Sequence, residues 1–279
     1  MGLIGGSVAL ALKKASSNTH IVGIGRSEKS LIEALRLGVI DAQETNIHGA
    51  LEDADLILIA APVAQTASIL QSIKPHLNNN TIITDAGSTK SDALACAKTI
   101  LGEQFNQFVG GHPIAGAEKS GVSAAKNDLF LDKNVVLTPA METNRDAVLA
   151  VSTLWQKCGA NVSEMSAETH DSIFAAVSHL PHLLAFALVD DIASRPNAAQ
   201  LFSFAASGFR DFTRIAGSSP EMWRDISLAN KTALLSEIDA FENELRQLKQ
   251  LLTNEDATGL QALFERASVA RNNWAESQK

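Results

Sequence analysis

Gly2-Leu3-Ile4-Gly5-Gly6-Ser7, running directly into the helical pattern of Val8–Lys14, decides how this chain is read. Gly2 and Gly5 match the last two glycines of G-x-G-x-x-G, the phosphate-binding turn between a first strand and a first helix. Backbone N–H groups at such a helix N-terminus hold a pyrophosphate, so Gly2, Leu3, Ile4 and Gly5 are candidate dinucleotide contacts. Met1 falls where the variable residue between the first two glycines belongs, so the usual first strand, central in such a sheet, is expected to be missing. A Gly-rich start before Leu3–Leu12 also has the length of a signal-peptide core. No basic residue precedes it, however, and Lys13-Lys14 follow, which argues against export.

The remaining sequence supplies the βαβ context that the fragment needs. Strand-like runs at His20–Ile24, Asp55–Ala61, Thr81–Asp85, Asn134–Thr138 and Asn161–Met165 alternate with helical patterns at Lys29–Leu37, Ala64–Ile73, Lys90–Leu101 and Arg145–Cys158. Asp55–Ala61 is almost continuously apolar, as befits a parallel strand covered on both faces. Phe108–Gly110 enters a loop in this reading. The alternation predicts an α/β, Rossmann-type, doubly wound parallel sheet over residues 1–165.

From Ser166 the strand signals stop, and an all-α domain, residues 166–279, is expected. Its helices are Ser166–Val177, His182–Ile192, Ala198–Ser207, Glu221–Leu252 and Ala257–Ala275, with Pro181 interrupting between the first two. Ser218-Ser219-Pro220-Glu221 has capping-box spacing and an early proline, a good helix start. Leu234, Ile238, Phe241, Leu245, Leu248 and Leu252 form a heptad-like stripe that suits either packing inside the domain or a dimer seam.

Bulk properties narrow the function classes. The 279 residues suffice for two well-packed domains, and a net charge of −8 disfavours nucleic acid or an anionic membrane as partner. The longest apolar run, Leu56–Ala64, is far short of the ~20 residues that cross a bilayer. Two cysteines, Cys96 and Cys158, give no disulfide framework or thiolate cluster, and a cytoplasmic location fits best. An anionic substrate would need a local basic site.

Candidate site residues follow the chain. At the end of the second strand, where an NAD site carries an acid for the ribose, stands Gly25. Arg26 and Ser27 follow, and they tilt the expected cofactor from NAD+ toward NADP+; an exposed loop arginine is the plainer alternative. Ala61-Pro62, closing the third strand, suits close approach of cofactor to backbone, or simply a turn. Asp85-Ala86-Gly87-Ser88-Thr89-Lys90 and Gly110-Gly111-His112-Pro113 both lie where loops leave the carboxyl ends of strands, the ligand crevice of such sheets. His112, held between glycines and a proline, reads as a base rather than a core histidine. His170-Asp171, His179 and His182 cluster in the helical half, but no third-ligand pattern accompanies the HxxH spacing, so no metal is expected. Arg210, Asp211 and Arg214, with Trp223 and Arg224 following, suggest either an anion pocket or a surface ion network.

Taken together and in order, GLIGGS (2–7), DAGSTK (85–90), GGHPIAGAEKSG (110–121), SHLPH (178–182), GFRDFTRIA (208–216) and MWRDI (222–226) closely resemble the prephenate dehydrogenase family and its arogenate-using relatives. The resemblance runs from Gly2 to beyond Asn230. It implies NAD(P)+-dependent oxidative decarboxylation of prephenate to 4-hydroxyphenylpyruvate, or of arogenate to tyrosine, by a Rossmann-type domain followed by a helical dimerisation domain. By motif match it implies that His112 takes the proton of the ring hydroxyl and that Ser88 bonds that hydroxyl or holds His112. Arg214 would bind a substrate carboxylate, oriented by Asp211, while Glu118, His179, His182 and Trp223 would line the pocket. The implied partners are one small anionic substrate and a second copy of the chain. Two alternatives remain: a two-domain dehydrogenase of 3-hydroxyacid or 6-phosphogluconate type, disfavoured because no lysine lies between Lys157 and Lys231, and a non-catalytic dinucleotide-binding module.

Overall fold

The computed structural model describes residues 1–16, 18–117 and 119–277, and it divides into two compact units, Met1–Lys231 and the segment from Thr232 onward. In the first unit, helix α1 (Leu3–Ala15) is capped by the extended backbone of Gly2. Then come β1 (Val22–Gly23), α2 (Glu28–Arg36), β2 (Ala42–Gln43), α3 (Ile47–Leu51), β3 (Leu56–Ile59), α4 (Thr66–Ile73), β4 (Ile82–Asp85), α5 (Ser91–Leu101), β5 (Phe108–Pro113), β6 (Asn134–Thr138), α6 (Arg145–Lys157) and β7 (Asn161–Glu164). Ser27 starts α2 by accepting the Ser30 amide, and Gly38 at φ +69° follows its last turn, where a left-handed residue suits glycine.

The strands form two sheets. β1 pairs with β2 in a two-stranded sheet, while β3-β4-β5-β6-β7 make a five-stranded sheet in that order. The Met1 side chain lies against Gly23 and, together with Ala60, against Gly5. The ladders are parallel except β5–β6, which is antiparallel and registers His112 opposite Val136. The pleat sends alternate residues to opposite cores. Val109 packs with α1 and α6 around Val8, Phe130, Val151 and Trp155, while Phe108 and Ile83 pack with α4 and α5 around Leu70, Ala97 and Leu101. Helices on both faces make the sheet doubly wound, as the alternation in sequence predicts.

Four local expectations change, one being the single helix expected at Glu221–Leu252, which is two, Pro220–Ala229 and Lys231–Thr253, divided at Asn230. The segment read as a loop at 108–113 is strand β5. Its glycines are there because the backbone is crowded: a Cβ on Gly110 would run into Thr138 Oγ1, and one on Gly111 would lie 2.7 Å from the Asp85 carbonyl. The break expected at Pro181 does not occur. α7 (Ala167–Phe174) continues through a π-turn (Ala175–His179) into α8 (Leu180–Ala193), making one rod with Pro181 in the first turn after the π-turn. The wider turn lets the ladder pass a residue that has no N–H to give. By length and composition this 27-residue rod could span a bilayer, which the longest apolar run concealed because histidines and acids interrupt it. Finally, Ser219 rather than Ser218 is the cap of the helix that starts at Pro220, accepting the Met222 amide.

α9 (Ala198–Ser203), α10 (Ser207–Thr213) and α11 (Pro220–Ala229) complete the first unit. Beyond it, α12 (Lys231–Thr253) and α13 (Ala257–Ser277) form a hairpin whose tight connection places Glu255 at φ +54°. In these two helices Leu234 is the one buried hydrophobic residue described. Leu235, Leu245, Leu252, Phe264, Val269 and Trp274 are exposed.

Candidate active site

The site gathers at the carboxyl ends of β4 and β5 and is roofed by the α7–α8 rod. At its floor lies a buried ion pair. Asp85, the last residue of β4, pairs with Lys90, and both side chains are inaccessible. Lys90 Nζ also donates to the Gly111 carbonyl at 2.8 Å. The Asp85 carboxylate accepts the amides of Gly87 (2.9 Å) and Gly111 (3.0 Å). A charge this deep survives only when fully partnered, and these bonds tie the DAGSTK turn to the strand that presents His112.

Above this floor runs a chain of hydrogen bonds. His112 Nδ1 is 2.8 Å from His170 Nε2, and His170 Nδ1 is 2.8 Å from Asp171 Oδ1. The Asp171 carboxylate also accepts the amides of Lys90 (2.9 Å) and Ser91 (2.8 Å), at the N-terminus of α5. Burial works to raise the Asp171 pKa, but hydrogen bonds from His170, Ser91 and these amides outweigh it and hold the carboxyl at about 2. Asp171 is therefore an anion that only accepts. The histidines pack edge-on, with Phe174 closing one side at 4.9 Å from the His112 ring. Burial, helped by the neighbouring His170, Lys90 and His179, lowers the His112 pKa well below its ordinary value against the opposing pull of Asp171, so the ring is neutral at pH 7.

Two more histidines come from the π-turn and α8. His179 is buried, and its Nδ1 accepts from Asn230 Nδ2 at 3.1 Å. The same amide donates to the Asp171 carbonyl at 2.8 Å. The His179 proton is thereby placed on Nε2. Burial pushes its pKa down to about 4. His182 has the opposite tautomer, with Nδ1 donating to the Ser178 carbonyl at 2.8 Å, and it stacks on Trp223 at 3.7 Å. Burial lowers its pKa too, and the charge of Arg214 adds to that effect, which puts the guanidinium near this wall.

The residues singled out in the sequence divide as follows. His112, His179, His182 and Trp223 come together, with Arg214 beside them on the turn that follows α10. Ser88 is half-buried on the DAGSTK turn, but the bond that holds His112 goes to His170 instead. Asp211 is exposed on α10, and among the described residues no ion pair joins it to Arg214. α10 ends at Thr213 and Arg214 opens a 3₁₀ turn, so the two do not share a regular helical face. Glu118 lies outside the described residues. Sequence reasoning missed five residues in these roles: His170 as the partner of His112, its acid Asp171, Asn230, and Asp85 with Lys90.

The dinucleotide candidates surround the α1 N-terminus. A Cβ on Gly2 would meet nothing within 4 Å, and the first turn of α1 contains no acid, so the amides there are open to an anion. Ala61 and Pro62 follow β3, and Arg26 is exposed after β1. Ser27 is less available than expected, since its oxygen caps α2 and takes a bond from Ser30 Oγ. Among the described residues no group of histidines, cysteines and acids could hold a metal ion.

Two family models cover most of this architecture: the prephenate dehydrogenase nucleotide-binding domain matches residues 8–164, and the prephenate dehydrogenase dimerization domain matches residues 166–266. The chain belongs to the prephenate dehydrogenase family. It is 41% identical to a prephenate dehydrogenase of Bacillus subtilis over its whole length and 76% of that protein. It is 33% identical to a cyclohexadienyl dehydrogenase of Zymomonas mobilis, covering 97% of this chain and 92% of the other. A crystal structure of the A. aeolicus prephenate dehydrogenase, in complex with hydroxyphenyl propionate and NAD+, superposes with a TM-score of 0.91 at 39% identity, over 97% of this chain and 94% of that one. Members of this family are oxidoreductases, and so is this chain.

Proposed function

We propose that the chain catalyses NAD(P)+-dependent oxidative decarboxylation of prephenate or arogenate, with His112 as the base. The observation that carries this reading is the neutral His112, whose Nδ1 is bonded to His170 while its Nε2 bonds no described residue, at the carboxyl edge of a dinucleotide-type sheet. His112 Nε2 accepts the ring hydroxyl proton, and the dinucleotide, when bound, accepts the hydride from the same carbon. The ring carboxylate leaves as CO2, its bonding electrons aromatise the ring, and the phenol oxygen recovers the proton from His112. Ser88 is proposed to bond the hydroxyl directly. Arg214, with the Nε2–H of His179, is proposed to take the substrate carboxylates, and Trp223 with His182 to wall the side chain. The pyrophosphate is assigned to the amides of the first turn of α1, Gly2–Gly5. Arg26, with no acid at Gly25, supports a preference for NADP+.

The test follows the appearance of reduced nicotinamide with prephenate or arogenate, each with NAD+ or NADP+. Turnover with at least one pair is expected, and silence in all four refutes the reading. His112→Asn should lower kcat by ~10²–10⁴-fold while prephenate still binds, because a positioned base contributes that much to the step. Arg214→Lys should chiefly raise KM.

We further infer a homodimer built through the helical region. It is supported by the dimerization-domain match and by exposed apolar side chains on α12 and α13 and on the rod, at Ile173, Val177 and Leu188. Light scattering should give twice the 29.6 kDa chain mass. A monomer at micromolar concentration overturns it.

A further inference from the structure

The reaction proposed above releases no net proton: the hydroxyl proton is lent to the base and returned to the phenol. A base in such a step needs no path to water, but it must carry a positive charge while buried. The site answers that need with residues 58 and 59 positions further along the chain.

The donor logic runs outward from Asp171. As an anion it can only accept, so His170 Nδ1 carries the proton of that bond. The 2.8 Å contact with His112 holds one more proton: on His112 Nδ1 it leaves Nε2 bare to act as the base, whereas on His170 Nε2 it would not, so the activity proposed above requires His112 Nδ1 to be the donor. His112 is left with its lone pair on Nε2. The tautomer of the base is thus set two residues away, by a carboxylate that never meets the substrate.

Resting on the activity proposed above, we propose that His170 and Asp171 are positioning residues for that reaction. They hold His112 as the Nδ1–H tautomer and compensate the charge it acquires when it takes the substrate proton. The other charged or titratable groups facing this pair are few. Lys90 and His179 oppose a positive charge on His112, Asp85 neutralises Lys90 from β4, and Asp92 on α5 faces Lys90 and Asp171. Asp171 is the anion in hydrogen-bonded line with the imidazoles. The two amides at the start of α5 anchor it, so its position is set by the same turn that carries Lys90.

Asp171→Asn tests the idea. Oδ1 accepts from both His170 Nδ1 and the Lys90 amide and Oδ2 accepts from the Ser91 amide, so the Asn NH2 faces one amide of α5 in either orientation, and in both the negative charge that balances protonated His112 is gone. The corresponding Asp→Asn change in the serine-protease triad costs about 10⁴-fold in kcat. Here a loss of at least 10²-fold is expected, with KM for substrate changing less than threefold. In His170→Gln the amide oxygen still accepts from His112 Nδ1, and kcat should stay within about tenfold of the parent. His170→Leu should fall as far as Asp171→Asn. Ring ¹⁵N shifts supply a readout independent of turnover: His112 should be Nδ1–H in the parent protein.

The proposal is overturned if the parent protein shows His112 as Nε2–H, or if Asp171→Asn keeps kcat within threefold. It is also overturned if His170→Gln is as inactive as His170→Leu while equally folded. Should the parent protein turn over no substrate, the function proposed above fails, and the ¹⁵N measurement still decides whether the tautomer is set as described.

Discussion

Lys90→Met is the perturbation with the most to reveal, because it removes a wholly buried cation from beneath the His112 strand. Lys90 has two partners, the Asp85 carboxylate and the Gly111 carbonyl. Methionine fills the space of the stem, so the change is electrostatic rather than steric. Removing one partner of a buried ion pair costs about 3–5 kcal/mol, since the other charge is left uncompensated. Asp85 keeps the amides of Gly87 and Gly111, which pulls the expected loss toward the lower end of that range. Lys90→Met should therefore lower unfolding stability by about 3 kcal/mol, roughly 6–12 °C in Tm for a unit of this size. Urea titration followed by the fluorescence of Trp155 and Trp223 measures it. Asp85→Asn alone should cost a similar amount. The double variant, with both charges gone, should be less destabilised than the sum of the singles by about 2–3 kcal/mol. A loss below 1 kcal/mol in Lys90→Met, or strict additivity in the double variant, refutes the reasoning that this pair pins the floor of the site.

Three further outcomes follow from the same structure. Gly111→Ala would force a methyl to 2.7 Å from the Asp85 carbonyl, so a loss of about 1–3 kcal/mol in urea is expected, with kcat falling as the His112 strand shifts. Acid should lower the stability of the protein in two steps. Burial sets the His179 pKa at about 4, below its unfolded 6.5, so the unfolded chain binds that proton first and up to about 3 kcal/mol is lost as pH falls between these values. Asp171, depressed to about 2, adds a second loss below 3.8, and His179→Gln should flatten the upper stage of a plot of urea midpoint against pH. Ser219→Ala should cost about 1 kcal/mol by leaving the Met222 amide uncapped, read from the same urea curves.

The fold was legible where the physics is local. Asp55–Ile59 and Thr81–Asp85 are apolar because both faces of their sheet are covered, and helix stops such as Gly38 announce themselves by backbone type. β5 was not legible, because Gly110 and Gly111 answer to Thr138 and Asp85, partners far away in sequence. The site divides in the same manner. His112, His179, His182 and Trp223 stand in short motifs whose residue types suggest chemistry. His170 becomes part of the base only through a contact across 58 residues, which no spacing rule expresses. A signal was available all the same. An acid beside a histidine inside an otherwise apolar helix needs a partner, and a lysine just ahead of α5 opposes the dipole of that helix unless another charge holds it there.

The π-turn at Ala175–His179 has a consequence for how this chain can change. It inserts one residue into a rod that is otherwise α-helical, and each residue of an α-helix turns its successors by about 100°. Deleting one residue there would restore a regular helix and swing His179 and His182 out of the crevice together, while His170 and Asp171 stayed in place. The two ends of the rod are thus phased against each other by a single residue. Substitutions can drift along its length, but its residue count across that turn is frozen for as long as both ends face the same crevice.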